Sequence, residues 1–343
     1  MEKTMRAIVF HEYGGPAVVQ VEDVPLPQIE PNEVLVRVRA AALNRLDLQI
    51  QAGHTPTQVR LPHIGGSEVA GEIALLGSQV KGFELGQPVA VAPYFLKADS
   101  LANEEITYLN SDLLGLDTSG GFAEYVKVPG SSLVKIPEEL SFEEAAAQTL
   151  TTLAAWRMLV AKAGVRPGET VLVLAAGSGV GSAAIQIAKL WGAQVIATAS
   201  SQAKLEKAQA AGADQVINTE THDFVREIRE LTAGRGADIV VEHVGQATWP
   251  RSIECVAANG RLVTSGATTG SAGQVNIWDL YNRQIMLIGS YGGTKDDLKE
   301  ILRFTSEGRL NATIDKVFPL EQVQFAQERL AARQQYGKII FTP

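Results

Sequence analysis

The sequence predicts an α/β protein of two domains: a β-rich domain, and a domain built on a doubly wound parallel sheet. From about Pro137 onward, strand-like apolar runs alternate with amphipathic helical ones, the texture of parallel strands joined by crossover helices. Before that point, short alternating runs are punctuated by Gly and Pro clusters. The 343 residues, 45% apolar and 20% charged, suffice for two ordinary cores.

In chain order, Met5–Phe10, Glu33–Ala40, Ala70–Leu76, Pro88–Ala92 and Ala123–Val128 read as the strands of the β-rich part. Tyr94–Asp117 is long, polar and without clear periodicity, and is expected to be an excursion loop with a functional or interfacial use. The parallel strands are expected at Thr170–Ala175, Gln194–Thr198, Gln215–Asn218, Ala237–Glu242, Gly260–Ser265 and Ile285–Gly289. Helices near Gly179–Leu190, Ser201–Ala211, Asp223–Thr232 and Ala247–Ala257 connect them. Thr294–Asp297 fits a capping box opening a helix that Gly308 stops. A helix near Leu320–Ala332 and a strand at Lys338–Phe341 then return to the first domain. The expected division is therefore 1–136 with 295–343, and 137–294, with a cleft between them. The apolar sixth strand, Ile285–Gly289, is an edge that invites pairing across a two-fold axis, so a homodimer is expected.

The net charge of −8 implies no broad basic surface and argues against nucleic acid as a partner. Cys255 is the only cysteine, which rules out an intramolecular disulfide or a cysteine metal cluster and suits a reducing cytosol. The first ten residues mix charged and apolar side chains without a signal-type apolar core, so a cytoplasmic location is expected. The uncharged run Val171–Ala188 contains Gly177, Gly179 and Gly181 and reads as strand, turn and helix rather than a membrane span.

The strongest chemical signal lies within Val171–Ser200. A buried strand runs into Ala176-Gly177-Ser178-Gly179-Val180-Gly181, and a helix and a second strand follow. Small residues let the backbone approach a pyrophosphate, and the helix N-terminus offers free N–H groups and a positive dipole end. The second strand closes with Thr198-Ala199-Ser200-Ser201, and the next charge is Lys204. An NAD site usually carries an acid here for the ribose 2′-hydroxyl. Hydroxyls and a lysine instead favour the 2′-phosphate of NADPH; the competing reading is that they only cap the next helix.

With these residues placed, the chain resembles the medium-chain dehydrogenase/reductase superfamily over nearly its whole length. The landmarks are EVLVRVRAAALNRLD at 33–47, GGSEVAGEI at 65–73, GGFAEYVKVP at 120–129, the 171–200 unit and YGKIIF at 336–341. The resemblance implies a chaperonin-10-like substrate domain beside a Rossmann domain. It also places the catalytic-zinc ligands of the family's alcohol dehydrogenases at Asn44, Ser67 and Leu150, none of which suits zinc. The family's two nearby acids remain as Asp47 and Glu68, and read as hydrogen-bonding groups. The lobe that holds a structural zinc in relatives corresponds to Tyr94–Asp117 and has no cysteine. The alcohol-side proton relay is also missing, since its positions read Leu46 and Gln49. No metal is therefore expected.

Metal-free members of the superfamily include quinone oxidoreductases, zeta-crystallin relatives and reductases of α,β-unsaturated carbonyls. In the quinone oxidoreductases a lysine and an arginine hold the 2′-phosphate; these positions carry over to Lys204 and Arg333, while an assisting tyrosine reads Thr219. The tyrosine used by enoyl-thioester reductases is absent, because His54-Thr55 follow the Asn44–Gly53 segment. Without a Lewis acid, a simple ketone is a poor hydride acceptor, whereas a quinone or an enone spreads the developing charge. The expectation is a zinc-free, NADPH-dependent reductase of quinones or enones. Asn44 and Ser67 are its candidate donors, and Tyr94 is a candidate pocket wall and proton donor. The alternatives are a zinc-type alcohol dehydrogenase with a rearranged site and a low-turnover NADPH-binding protein like the crystallins.

Overall fold

The computed structural model describes residues 3–97 and 105–343. Two compact units result: 1–153 with 292–308 and 312–343, and 154–291 with 309–311. The division falls at Leu153/Ala154 rather than at Pro137 because the helix Phe142–Ala146 packs on the strands Glu33–Leu43, Glu68–Leu76 and Pro88–Val91.

The first unit is built around a seven-stranded sheet whose central member is Glu33–Leu43. On one side it pairs antiparallel with Glu68–Leu76, and on the other with Lys338–Thr342, which in turn lies parallel to Ile314–Pro319. The C-terminal strand thus returns to this unit, as its apolar run implies. Val34, Val36, Val38, Ala41 and Leu43 all enter the core. The expected excursion loop is partly ordered: Tyr94–Leu96 and Ser111–Leu113 form a two-stranded antiparallel ribbon. Their three-residue lengths leave no room for a readable alternation. Residues 98–104 of that segment lie outside those described.

The second unit carries six parallel strands in the spatial order Gln215–Asn218, Gln194–Ala199, Thr170–Val173, Ala237–Glu242, Val256–Thr264, Met286–Gly289. The order reverses between the strand Thr170–Val173 and the strand Ala237–Glu242, and open α/β sheets bind ligands at such a switch point. No described helix is long and apolar enough to cross a membrane.

Glu242 ends the strand on the far side of that switch and is fully buried. Its carboxylate accepts from the backbone N–H groups of Val244 (2.6 Å) and Gly245 (3.0 Å) and from the hydroxyls of Thr248 (2.9 Å) and Ser252 (2.5 Å). The two backbone N–H groups depend on this side chain, while the hydroxyls also reach the Gly245 (3.3 Å) and Thr248 (3.0 Å) carbonyls. Glu242→Ala is expected to lower the unfolding free energy by about 3–4 kcal/mol, since charge-assisted bonds contribute roughly 1.5–3 kcal/mol each and orphaned buried donors add a penalty. Denaturant titration measures it, and a loss below about 1 kcal/mol would contradict the assignment.

Candidate active site: a buried polar cluster and a dinucleotide turn

The turn after the strand Thr170–Val173 is held by Ser178, the N-cap of the helix Gly179–Leu190. Its Oγ accepts from the Gly181 N–H at 2.9 Å and lies 2.9 Å from the Ala175 carbonyl. A Cβ at Gly181 would sit 2.4 Å from the Ala175 carbonyl oxygen, so only glycine lets the helix start this close to the strand end. A Cβ at Gly177 would meet the Lys204 side chain at 2.8 Å. The aliphatic stem of Lys204 thus lies over the turn, bringing together two of the residues singled out for the nucleotide. Gly179 and Val180 form the first turn of the helix. Ser200 is exposed, and Ser201 occupies the N-cap position of the helix Gln202–Ala210 without a side-chain capping bond. Thr219, at the position of the missing tyrosine, donates its N–H and its hydroxyl to the Ala199 carbonyl.

His243 follows Glu242, and its Nε2 lies 2.9 Å from Ser178 Oγ. Burial lowers its pKa to about 4, against a smaller opposing pull from Glu242. The imidazole is therefore neutral at pH 7. Because the folded-state pKa lies below the unfolded value of 6.5, folding is unpenalised above pH 6.5 and loses stability as pH falls from there toward 4. The loss amounts to as much as about 3 kcal/mol. His243→Gln should shrink the fall in stability between pH 7 and pH 4 by that amount in parallel denaturant titrations; an unchanged fall would show that this group is not responsible.

In the first unit, three strand ends converge. Asn44 follows the central strand Glu33–Leu43, Glu68 opens one antiparallel neighbour, and Lys338 opens the other. The pairings Ala42 with Glu68 and Leu43 with Ile339 put the three side chains at one level. All are buried, together with Asp47 and Ser67. The Lys338 ammonium lies 2.6 Å from Glu68 Oε2 and 3.3 Å from the Leu43 carbonyl, and donates to Asn44 Oδ1. Glu68 Oε1 accepts from the backbone N–H groups of Leu150 (3.0 Å) and Thr151 (2.8 Å). Asp47 closes a capping box on Asn44, accepting its N–H at 2.7 Å, and takes the Gly66 N–H at 3.2 Å. Burial pushes the Asp47 carboxyl up to about 7, against the pull of the Asn44 N–H, the Lys338 ammonium and the Gly66 N–H. Ser67 Oγ is buried with no hydrogen-bond partner among the described residues.

The donor set does not fit zinc. Asn44, Ser67 and Leu150 offer an amide, a hydroxyl and an alkyl group where thiolate, imidazole or carboxylate is needed. Among the described residues no group of three or more His, Cys, Asp or Glu could hold a metal. The cation of this cluster is the Lys338 ammonium.

Tyr94 is half-buried, opens the ribbon in the same unit, and lies 3.6 Å from where a Gly292 Cβ would be. Arg333, with φ at 55°, also belongs to the first unit. Burial, and then the charge of Arg333, lowers the pKa of Arg45. Two participants escape a reading of the sequence: Lys338, whose only signal is a lysine opening an apolar strand, and His243, which closes the VVEH run.

Comparison with known proteins places this geometry. Residues 30–138 match the alcohol dehydrogenase GroES-like domain, and 179–307 match the zinc-binding dehydrogenase domain. A zinc-type alcohol dehydrogenase-like protein of Schizosaccharomyces pombe is 34% identical over 98% of both chains. A quinone oxidoreductase of Pseudomonas aeruginosa is 33% identical over 98% of this chain and 99% of its own. The solved structure of an NAD-dependent alcohol dehydrogenase superposes with a TM-score of 0.94 at 43% identity, over 99% of this chain and all of that one. The chain belongs to the medium-chain dehydrogenase/reductase superfamily, and both quinone oxidoreductases and alcohol dehydrogenases are among its relatives.

Proposed function

We propose that the protein is an NADPH-dependent reductase that passes a hydride to a quinone or an α,β-unsaturated carbonyl without a metal. One observation carries this reading. Where zinc-dependent relatives need three ligands, this chain has Asn44, Ser67 and Leu150, and a lysine ammonium supplies the local positive charge. The bound dinucleotide supplies the hydride. Asn44 and Ser67 donate hydrogen bonds to the substrate oxygen as charge builds there, which suffices for a conjugated acceptor. Tyr94 lines the pocket and returns a proton to that oxygen. Gly177, Ser178, Gly179, Val180 and Gly181 cradle the pyrophosphate, and Asn44 also serves the nicotinamide ribose. Ser200, Ser201, Lys204 and Arg333 receive the 2′-phosphate. A screen of quinones, enals and enones with NADPH tests the reading. Turnover of conjugated acceptors and little of saturated ketones is expected; the reverse order sinks it.

The names of the relatives favour a second reading, a zinc-type alcohol dehydrogenase with a rearranged site. Zinc bound in stoichiometric amount and required for turnover would select it. NADPH binding with no turnover of any acceptor would select a crystallin-like binding role. The protein is further proposed to work as a cytoplasmic homodimer. Ile277, Trp278 and Tyr281 of the helix Ile277–Asn282, and Met286 of the edge strand, are all exposed, with the Trp278 and Tyr281 rings 5.5 Å apart, apolar groups that a second copy would cover. Light scattering at micromolar concentration should give twice the chain mass, and Trp278→Glu with Met286→Lys should give the monomer. A wild-type monomer would refute the dimer alone.

A further inference from the structure

We propose that Lys338 is a positioning residue that converts the Asn44 amide into an oriented, polarised hydrogen-bond donor, a role that rests on the metal-free reductase reading above. An ammonium has three donors and no acceptor, so the Asn44 atom facing it is the carbonyl oxygen. The Asn44 NH2 is thereby turned away from Lys338. Its only hydrogen bond among the described residues is a long one to the Ala42 carbonyl, at 3.4 Å. The backbone N–H of Asn44 is tied to Asp47, so both ends of the residue are fixed.

The ammonium itself is held from three sides. It donates to the Leu43 carbonyl and to Asn44 Oδ1, and it forms an ion pair with Glu68 Oε2 at 2.6 Å. Glu68 is fixed in turn, because its other oxygen is committed to Leu150 and Thr151. A lysine this deeply buried is rare unless paired, and here the pairing leads through the amide. Donation to an amide oxygen draws electron density from the nitrogen and strengthens its N–H as a donor. The positive charge a metal would place against the substrate oxygen is thus delivered at one remove, from Lys338 through Asn44. Ser67 Oγ, next to Glu68 in sequence, is buried and without a hydrogen-bond partner among the described residues.

The test uses the full-length protein and two readouts. Lys338→Met with Glu68→Gln removes both charges together, so that no buried carboxylate is orphaned; Lys338→Arg keeps the charge. With NADPH and one good quinone, the double variant should lose about thirtyfold in kcat with KM changed less than about twofold, as expected for a donor used in the transition state. Lys338→Arg should stay within about fivefold of wild type. In an Asn44→Ala background the same double change should cost less than about threefold, because its effect passes through the amide. Additive losses, or an unchanged kcat in the double variant, overturn the proposal. If the double variant does not fold, the Arg variant decides: retained turnover supports the role, and a loss as large as that of Asn44→Ala overturns it. The second readout needs no turnover. The Asn44 side-chain amide resonances in protein labelled with 15N-asparagine should shift between wild type and the double variant. Unmoved resonances overturn the proposal, whereas absence of reductase activity with shifted resonances overturns only the reading of function.

Discussion

Replacing Lys204 and Arg333 together by alanine should flatten a preference for NADPH over NADH. Lys204 lies over Gly177 at the turn, and Ser201 makes no side-chain capping bond. The charge of Arg333 adds, after burial, to the lowering of the Arg45 pKa, so Arg333 contributes positive potential in the first unit. Charge-assisted bonds to a phosphate contribute roughly 1.5–3 kcal/mol each, so each loss should weaken NADPH about tenfold to a hundredfold. NADH, which has no 2′-phosphate, should barely respond. Ala199→Asp should go further and invert the preference. Ala199 ends the strand Gln194–Ala199, and a carboxylate there would repel the phosphate and accept from the ribose hydroxyls. The measurement is kcat/KM for both cofactors against one quinone. A wild type that favours NADH, or equal weakening of both cofactors by Lys204→Ala, contradicts this assignment.

Asn44→Ala should lower kcat about a hundredfold with little change in KM, the usual cost of removing a donor aimed at developing negative charge. The same substitution takes an acceptor from the buried Lys338 ammonium, so some loss of thermal stability should accompany it. Ser67→Ala removes a hydroxyl that has no hydrogen-bond partner among the described residues, and should lower kcat by roughly threefold to tenfold with stability unchanged. Steady-state kinetics and thermal unfolding on the same preparations separate the two effects. A larger loss from Ser67→Ala than from Asn44→Ala would exchange their roles.

The parallel sheet was legible because short apolar strand runs alternate with helical segments of about ten residues. The helix Gly179–Leu190 and the strands Gln215–Asn218 and Ala237–Glu242 fall where the pattern puts them. The helix Arg45–Gln51 was not legible. Leu46, Leu48 and Ile50 alternate with polar residues, a period of two, and only the Asn44–Asp47 capping box reveals the helix. The strand Val19–Pro25 was missed as well; its pairing with Thr4–Phe10 supplies what its mixed polarity does not. Asn44 and Ser67 could be picked out by motif, but the cation of their cluster could not. Lys338 and Asn44 are 294 positions apart, and only the pairing of the last strand with the central one brings them together. His243 reaches Ser178 by a similar long-range closure across the sheet, where two neighbouring strands end side by side.

The most direct test of a metal-free reductase is to strip the protein with a strong chelator, measure its zinc content, and assay NADPH oxidation with a quinone on that same sample. Zinc far below one per chain with full turnover is the expected result; turnover that disappears on stripping and returns in proportion to added zinc would contradict it.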